Sequence, residues 1–358
     1  MNAQLRQVGP DYAKMIGIIL VVFGHTVRGL FNAGILPADS AFWLNVDRAI
    51  YLFHMPLFFF LSGMFIQQTL AKTELTDFFK RNVLIFIVPL IFWSYTQSGI
   101  QYFAGGSVNV ERSLTYVLQA PFPPKQQFWF LWALFLISCF SAVILKLING
   151  KTLLSVLALM ALAVMSLGSS VGLSGITYKM EGQTFGEAVF FFPYFVMGVL
   201  MATPTVMKSA STAFKILLVF AATVIFYLVS YQQTNAFYYV FSFIAVYTCY
   251  QCCAYLGESI QARLASSDKP SPLLQSLHNA LIFIGMNSFI IYLAHIIPEA
   301  GIRVVLMKLG IDDPITHITA GTLFGLFVPL LLIPVNLLLV RYWKSVNYIF
   351  PIRRMKYA

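Results

Sequence analysis

Lys14 and His25 stand eleven residues apart in the stretch DYAKMIGIILVVFGHT, residues 11–26. In an α-helix, at about 100° per residue, that spacing brings both side chains to within roughly 20° of one face, ~16 Å apart along the axis. Asp11 and Arg28 extend the stripe at its two ends, and Ile18 and Val21 fill the interval. A lysine at the mouth of an apolar corridor can hold an anionic group, and an imidazole further along can take a proton from a hydroxyl near neutral pH. Ionisable groups inside apolar helices are costly and so suggest a function. A plainer account also fits, with Lys14 as an interfacial anchor whose stem lies along apolar surface and His25 as a hydrogen-bonded core residue. On this helix alone the two accounts weigh equally.

Other residues could take part from further along the chain. His54 lies about six residues inward from Arg48, and Pro56 two residues later frees a backbone carbonyl and predicts a kink. Ser288, Tyr292 and His295 follow i, i+4, i+7 spacing and are expected on one face. Glu299 comes one turn after His295. Arg28, His54, Ser288, Tyr292, His295, Glu299 and Trp129 are therefore the candidate groups for a polar binding pocket at the end away from Lys14. For each, the competing reading is an interfacial or interhelical polar residue. His278 and His317 fall at the ends of apolar windows and are expected in solvent. Gly321 and Gly325 form a Gly-x-x-x-Gly pair expected to let helices pack closely. Cys139 and the three thiols of CYQCC (Cys249, Cys252, Cys253) lie in apolar segments and read as buried and structural, with no metal-ligand cluster beside them.

These residues must be positioned by helices in a bilayer. Of 358 residues 59% are hydrophobic and only 10% charged, with a mean hydropathy of +0.79, which excludes an ordinary soluble domain. The net charge of +10 is scattered between apolar blocks rather than clustered, so no nucleic-acid partner is expected; the partner is the lipid bilayer. A spanning helix needs about 20 apolar residues. Charge-free windows at 49–71, 82–110, 126–145, 152–178, 188–207, 270–298 and 314–340 each hold one span, beside a polar first span near 12–36 that reads as an uncleaved anchor. The uncharged stretch 216–257 is about twice the length a bilayer needs and is expected to fold back at SYQQTNA, residues 230–236. The predicted fold is all-α, a polytopic integral membrane protein of about ten transmembrane helices forming a single domain over 1–358, with no internal repeat. Sorting Lys and Arg by alternate sides places sixteen of the 23 on the side that holds both termini, which predicts that both termini are cytosolic.

With the stripe and spans in view, DYAKMIGIILVVFGHT resembles the first helix of the membrane acyltransferase-3 family, whose signature is Arg or Lys, ten residues, then His. FHMPLFFFLSGMF (53–65) is similar to that family's second span, especially in its fucose 4-O-acetylase-like branch, and FWFLWALF (128–135) and NSFIIYLAH (287–295) are similar to later segments. The resemblance implies transfer of an acyl group, usually acetyl, from cytosolic acetyl-CoA to a hydroxyl of a sugar or cell-envelope glycan, with no metal. It maps the family's histidine onto His25 and its cation onto Lys14. Many members carry Arg-x-x-Arg after the second span; here Lys80 and Arg81 are present, but Leu84 stands where the second arginine would fall.

The expectation is thus an O-acetyltransferase of the bacterial inner membrane. Lys14, Lys80 and Arg81 would hold the phosphates of acetyl-CoA, and His25 would act as general base on a carbohydrate acceptor or carry the acyl group itself. The alternative is a transporter of a sugar or lipid-linked intermediate, with His25 as a proton relay.

Overall fold

A computed structural model describes residues 7–105, 112–147, 160, 162–163, 185–201, 210–230, 235–267 and 269–351. Among them all regular structure is helical. Six helical stretches are long and apolar enough to cross a membrane, and a bent pair would make seven; Gly186–Leu200 and Thr212–Ile225 are shorter apolar helices. Among the described residues, then, six or seven full-length spans stand against the ten expected along the whole chain. The window 152–178 lies almost entirely outside the described residues, as does most of the expected turn at 230–236.

Helix α1 (Gly9–Asn32) carries Pro10 and Asp11 in its first turn. Proline is preset for that position, and the acid complements the positive end of the helix dipole. The helix is the hub of the bundle. It packs on α2 (Ala41–Tyr51), α3 (His54–Leu70), α10 (Asn235–Ala265), α11 (Pro272–Met286), α12 (Ser288–Ala294), α13 (Ile296–Lys308) and α14 (Pro314–Phe327). Tyr12, Ala13, Ile18 and Val22 are fully buried in those interfaces. A polar stripe on a hub helix faces protein on most sides, the setting in which ionisable side chains are tolerated within a membrane.

Helices α2 and α3 form one candidate span, Ala41–Leu70, interrupted at Leu52 and Phe53. Pro56 is the cause: it has no N–H for the carbonyl four residues back, that of Leu52. The freed oxygen accepts a hydrogen bond from Ser242 Oγ at 2.5 Å, and Tyr51 O accepts one from Tyr238 Oη at 3.1 Å. Two hydroxyls of α10 thereby satisfy backbone groups that apolar surroundings would otherwise strand. The break sets His54 at the first turn of α3. On the far side of α3, Gly63 meets Gly198 of α8 (Gly186–Leu200). A Cβ on Gly63 would overlap Phe195 O, and one on Gly198 would overlap Phe60 O, so the two backbones lie in direct contact.

Beyond α4 (Leu75–Asn82), a π-helical turn Val83–Ile87 precedes α5 (Val88–Ala104), next to Pro89. A short helix α6 (Leu114–Leu118) and a 3-10 turn Gln126–Phe128 lead into α7 (Trp129–Leu147), with Gln126 at a positive φ of 54°. Helix α9 (Ala210–Ser230) packs on α10.

The window 270–298 is not one straight span. Helices α11 and α12 meet at Asn287 with a bend of 56°. His295 links α12 to α13, and Glu299 lies in the first turn of α13. After α14, a 3-10 turn and α15 (Leu332–Leu339) precede the short α16 (Val346–Ile349). This last segment is pinned to the bundle by Trp93 Nε1, which donates to Ile349 O at 2.9 Å, and by Asn336 Nδ2, which donates to Phe350 O at 2.7 Å.

His278 and His317, expected in solvent, are both buried. Nδ1 of His278 lies 2.7 Å from Tyr12 Oη, and Nε2 of His317 lies 2.7 Å from Ile311 O. Each sits at an apolar window's end, but neighbouring helices cover it. Gly321 and Gly325 do serve close packing: Thr26 and Val22 of α1 press onto them, and Glu299 fills the remaining space over Gly325.

Candidate functional site

Two chambers open into the bundle, one at each end of the Lys14–His25 stripe. The chamber at the Lys14 end has a volume of about 430 Å³ and is lined by Lys14, Arg81, Ser62, Ser288, Asn347 and Tyr348 among apolar neighbours. The chamber at the other end has about 660 Å³, and its wall includes His25, Arg28, His54, Trp129, Glu299 and Arg303. Val21, Met55 and Tyr292 line both. The two spaces therefore meet at a shared wall, and Val21 lies one helical turn before His25 on the same face.

At the Lys14 end the cations separate. Lys14 leans on Asp11, with Nζ 3.6 Å from Oδ1, and lies 5.7 Å from the centre of the Phe65 ring. Arg81, on the last turn of α4, reaches the same chamber. Lys80 does not line it; its side chain is 77% exposed and sits 3.8 Å from Asp77 on the outer face of α4. Ser288, expected with Tyr292 and His295 in one polar pocket, opens instead onto the Lys14 chamber, because the bend at Asn287 turns the start of α12 toward it.

At the other end three imidazoles converge. His25 is half-buried, and its ring centroid lies 5.1 Å from that of His295. Nδ1 of His295 donates to Tyr292 O at 2.8 Å, so the free lone pair belongs to Nε2, which is buried and without a hydrogen-bond partner among the described residues. His295 thus stands behind His25 rather than in the chamber wall. His54 is fixed in the same tautomer by donation from Nδ1 to Ile50 O at 2.8 Å, and its ring lies edge-on to Tyr51 at 4.4 Å. Local backbone acceptors thus fix both rings through Nδ1–H, which in a neutral imidazole leaves Nε2 as the acceptor.

Arg28 is held rigidly. It makes a two-pronged bond to Asp47 at 2.7 and 2.9 Å, and its guanidinium lies 3.2 Å from the centre of the Tyr51 ring. Glu299 is buried, with Oε1 lacking a hydrogen-bond partner among the described residues. Arg303, one turn on, packs against Gly29, where any side chain would collide with its guanidinium, and its buried Nε is likewise unpartnered. Buried polar atoms are rarely left unpaired, and here several border one cavity. Trp129 lines the chamber, and its ring is stacked on Phe191 at 5.2 Å.

Sequence reading missed part of this wall. Gln97, Gln101, Gln126 and Gln127 line the His25 chamber, as do Arg112 and Arg303, and Asn347 and Tyr348 line the Lys14 chamber. The only sequence signal was two pairs of glutamines, in QSGIQ and KQQFW, inside or beside otherwise apolar windows.

The chain is 27% identical over 201 residues to Nodulation protein NolL of Mesorhizobium japonicum, covering 56% of this chain and 48% of that protein. It is 29% identical over 220 residues to Nodulation protein NolL of Sinorhizobium fredii, covering 59% and 52%. The chain thus spans about half the length of these relatives. No solved structure matches it. The family model described as Acyltransferase domain matches residues 7–333, which takes in the stripe from Lys14 to His25 and the groups that face it from Trp129 to Arg303, and the chain therefore belongs to the acyltransferase-3 domain family.

Proposed function

We propose that the protein is an integral membrane O-acetyltransferase that moves an acetyl group from acetyl-CoA, bound at the Lys14 chamber, to a sugar hydroxyl held in the chamber lined by His25. The observation that carries this reading is the pair of chambers at opposite ends of one helix stripe, sharing Val21, Met55 and Tyr292 as a common wall. A two-substrate reaction across a bilayer needs such an arrangement, with one site for each reactant and a short path for the small transferred group.

The charge distribution supports the assignment of ends. Coenzyme A brings phosphates that need cations, and Lys14 and Arg81 line the chamber on the side expected, from the excess of basic residues, to be cytosolic. Lys80 lies outside the chamber wall and is not assigned a contact with the donor. The pantetheine arm would run along the apolar wall toward Val21. In the other chamber Arg28, His54, Glu299 and Trp129 surround the acceptor, Tyr292 stands at the junction, and His295 backs His25.

The chemistry then follows from His25. Its imidazole takes the hydroxyl proton as the oxygen attacks the thioester carbonyl. The tetrahedral intermediate collapses with cleavage of the C–S bond, and the imidazolium returns its proton to the departing thiolate. Proton and acetyl balance without a metal or further reactant. General-base assistance of this kind is typically worth about 10²- to 10⁴-fold. Fixing the groups beforehand adds the advantage of orientation.

The test is acceptor-dependent release of free coenzyme A by purified protein in nanodiscs. Transfer to a sugar acceptor supports the reading. Substrate movement across the membrane with no consumption of thioester would replace it with a carrier.

A further inference from the structure

The four glutamines of the His25 chamber form one connected network. Gln126 is its hub. Its Nε2 donates to Gln101 Oε1 at 2.8 Å and to Tyr116 Oη at 3.2 Å, while its Oε1 accepts from Gln97 and, at 3.4 Å, from Gln101. Gln97 and Gln127 are paired reciprocally: Gln127 Nε2 donates to Gln97 Oε1 at 2.6 Å and Gln97 Nε2 donates back at 3.3 Å. The backbone carbonyl of Gln127 accepts from Tyr292 Oη at 2.5 Å, which ties the network to the wall shared by the two chambers.

A primary amide offers two N–H donors and two acceptor lone pairs. Gln126 uses all of its capacity inside the network. Gln97, Gln101 and Gln127 do not: each keeps at least one donor or acceptor position unspent, and each borders the cavity. Tyr116, which orients the hub, is itself held between Arg112 and Lys125, whose charges lie 4.2 and 4.0 Å from its ring centre. Gln126 reaches its place only through a positive φ of 54°, an unfavourable conformation for a residue with a side chain. Packing alone needs none of this, since an apolar contact between α5 and the start of α7 would join them with no buried amides at all.

We propose that Gln97, Gln101 and Gln127, held in place by Gln126, are the acceptor-recognition element of the protein, and that these three read adjacent hydroxyls of a sugar ring. The proposal rests on the reading of the His25 chamber as the acceptor site. A sugar hydroxyl both donates and accepts, and so does a carboxamide, so neighbouring hydroxyls match a row of amides better than they match a single charge. Trp129, in the same wall, supplies aromatic surface against which a sugar's C–H face can lie. Because Tyr292 bonds to the Gln127 backbone, a sugar seated on the amides is held beside the junction that the acetyl group must cross.

The experiment uses the full-length protein in nanodiscs. Quenching of tryptophan fluorescence is titrated with methyl glycosides of fucose, glucose and N-acetylglucosamine, and donor affinity is measured separately with coenzyme A. In Gln101→Met and Gln97→Met, affinity for the tightest-bound glycoside should fall about tenfold or more, the scale of one or two hydrogen bonds, with affinity for coenzyme A unchanged. Gln101→Asn, which keeps the amide on the chamber rim, should recover part of the loss and guards against misfolding of the apolar variants. No binding of any glycoside by the native protein, or equal affinity in all variants, overturns the proposal. Glycoside binding without acetyl transfer would sink the transferase reading and leave this one standing. Transfer with unaltered glycoside affinity in the variants would do the reverse.

Discussion

The imidazole of His25 lies 5.1 Å from that of His295, ring centre to ring centre, and the second ring is fixed by its Nδ1–H bond to Tyr292 O. That places a buried nitrogen, Nε2, with no hydrogen-bond partner among the described residues, behind the ring proposed for catalysis. His295→Ala should loosen His25 and lower kcat by up to about 100-fold, the scale of a misplaced catalytic group. KM for acetyl-CoA should hardly move. Steady-state kinetics check this, and a change confined to KM would contradict it.

On the proposed reading, the Lys14 chamber divides the basic residues into those that meet the donor and those that do not. Lys14→Ala and Arg81→Ala should each weaken coenzyme A binding by about 10- to 100-fold, the range of a hydrogen bond to a charged group. Lys80→Ala should have little effect, because its ammonium is exposed and pairs with an exposed Asp77. Isothermal titration with coenzyme A ranks the three; equal losses would show that surface charge rather than the chamber holds the donor.

The carbonyl of Leu52, released by Pro56, depends on Ser242. Ser242→Ala should destabilise the protein by about 1–3 kcal/mol, the cost of an unsatisfied buried acceptor. Adding Pro56→Ala supplies the missing N–H and should recover part of that loss. A thermal-unfolding double-mutant cycle reads the coupling; strict additivity would argue against the pairing.

Where α3 crosses α8, no room exists for a side chain on Gly63 or Gly198, and the obstacle is backbone oxygen on both sides. Either Gly→Ala change should cost about 1–3 kcal/mol or more. Gly99→Ala is the control, since nothing lies within 4 Å of its built Cβ. Equal melting temperatures for the three would contradict the packing described.

Some of this was legible in the sequence because it breaks a pattern. Lys14, His25 and Pro56 are conspicuous in apolar helices, where each carries a cost that must be offset locally. Hydropathy also located most of the apolar helices. It could not foresee that α11 and α12 would bend by 56° at Asn287, and so the shared face predicted for Ser288, Tyr292 and His295 is divided among one chamber, the junction and the space behind His25. Periodicity assumes one straight helix. The glutamines escaped for a different reason. An uncharged amide hardly alters a hydropathy window, and Gln97 and Gln127 are separated by 30 residues, so their pairing exists only once α5 and the 3-10 turn are packed together. His278 and His317 were misplaced because position in a window says nothing of which neighbours cover its end.

The most direct measurement is transfer of radiolabelled acetyl from acetyl-CoA to a sugar acceptor by the purified protein and its His25→Ala variant, with coenzyme A binding measured on both. The account predicts a loss of at least about 100-fold in transfer with donor affinity preserved. Full-rate transfer by the variant would contradict it.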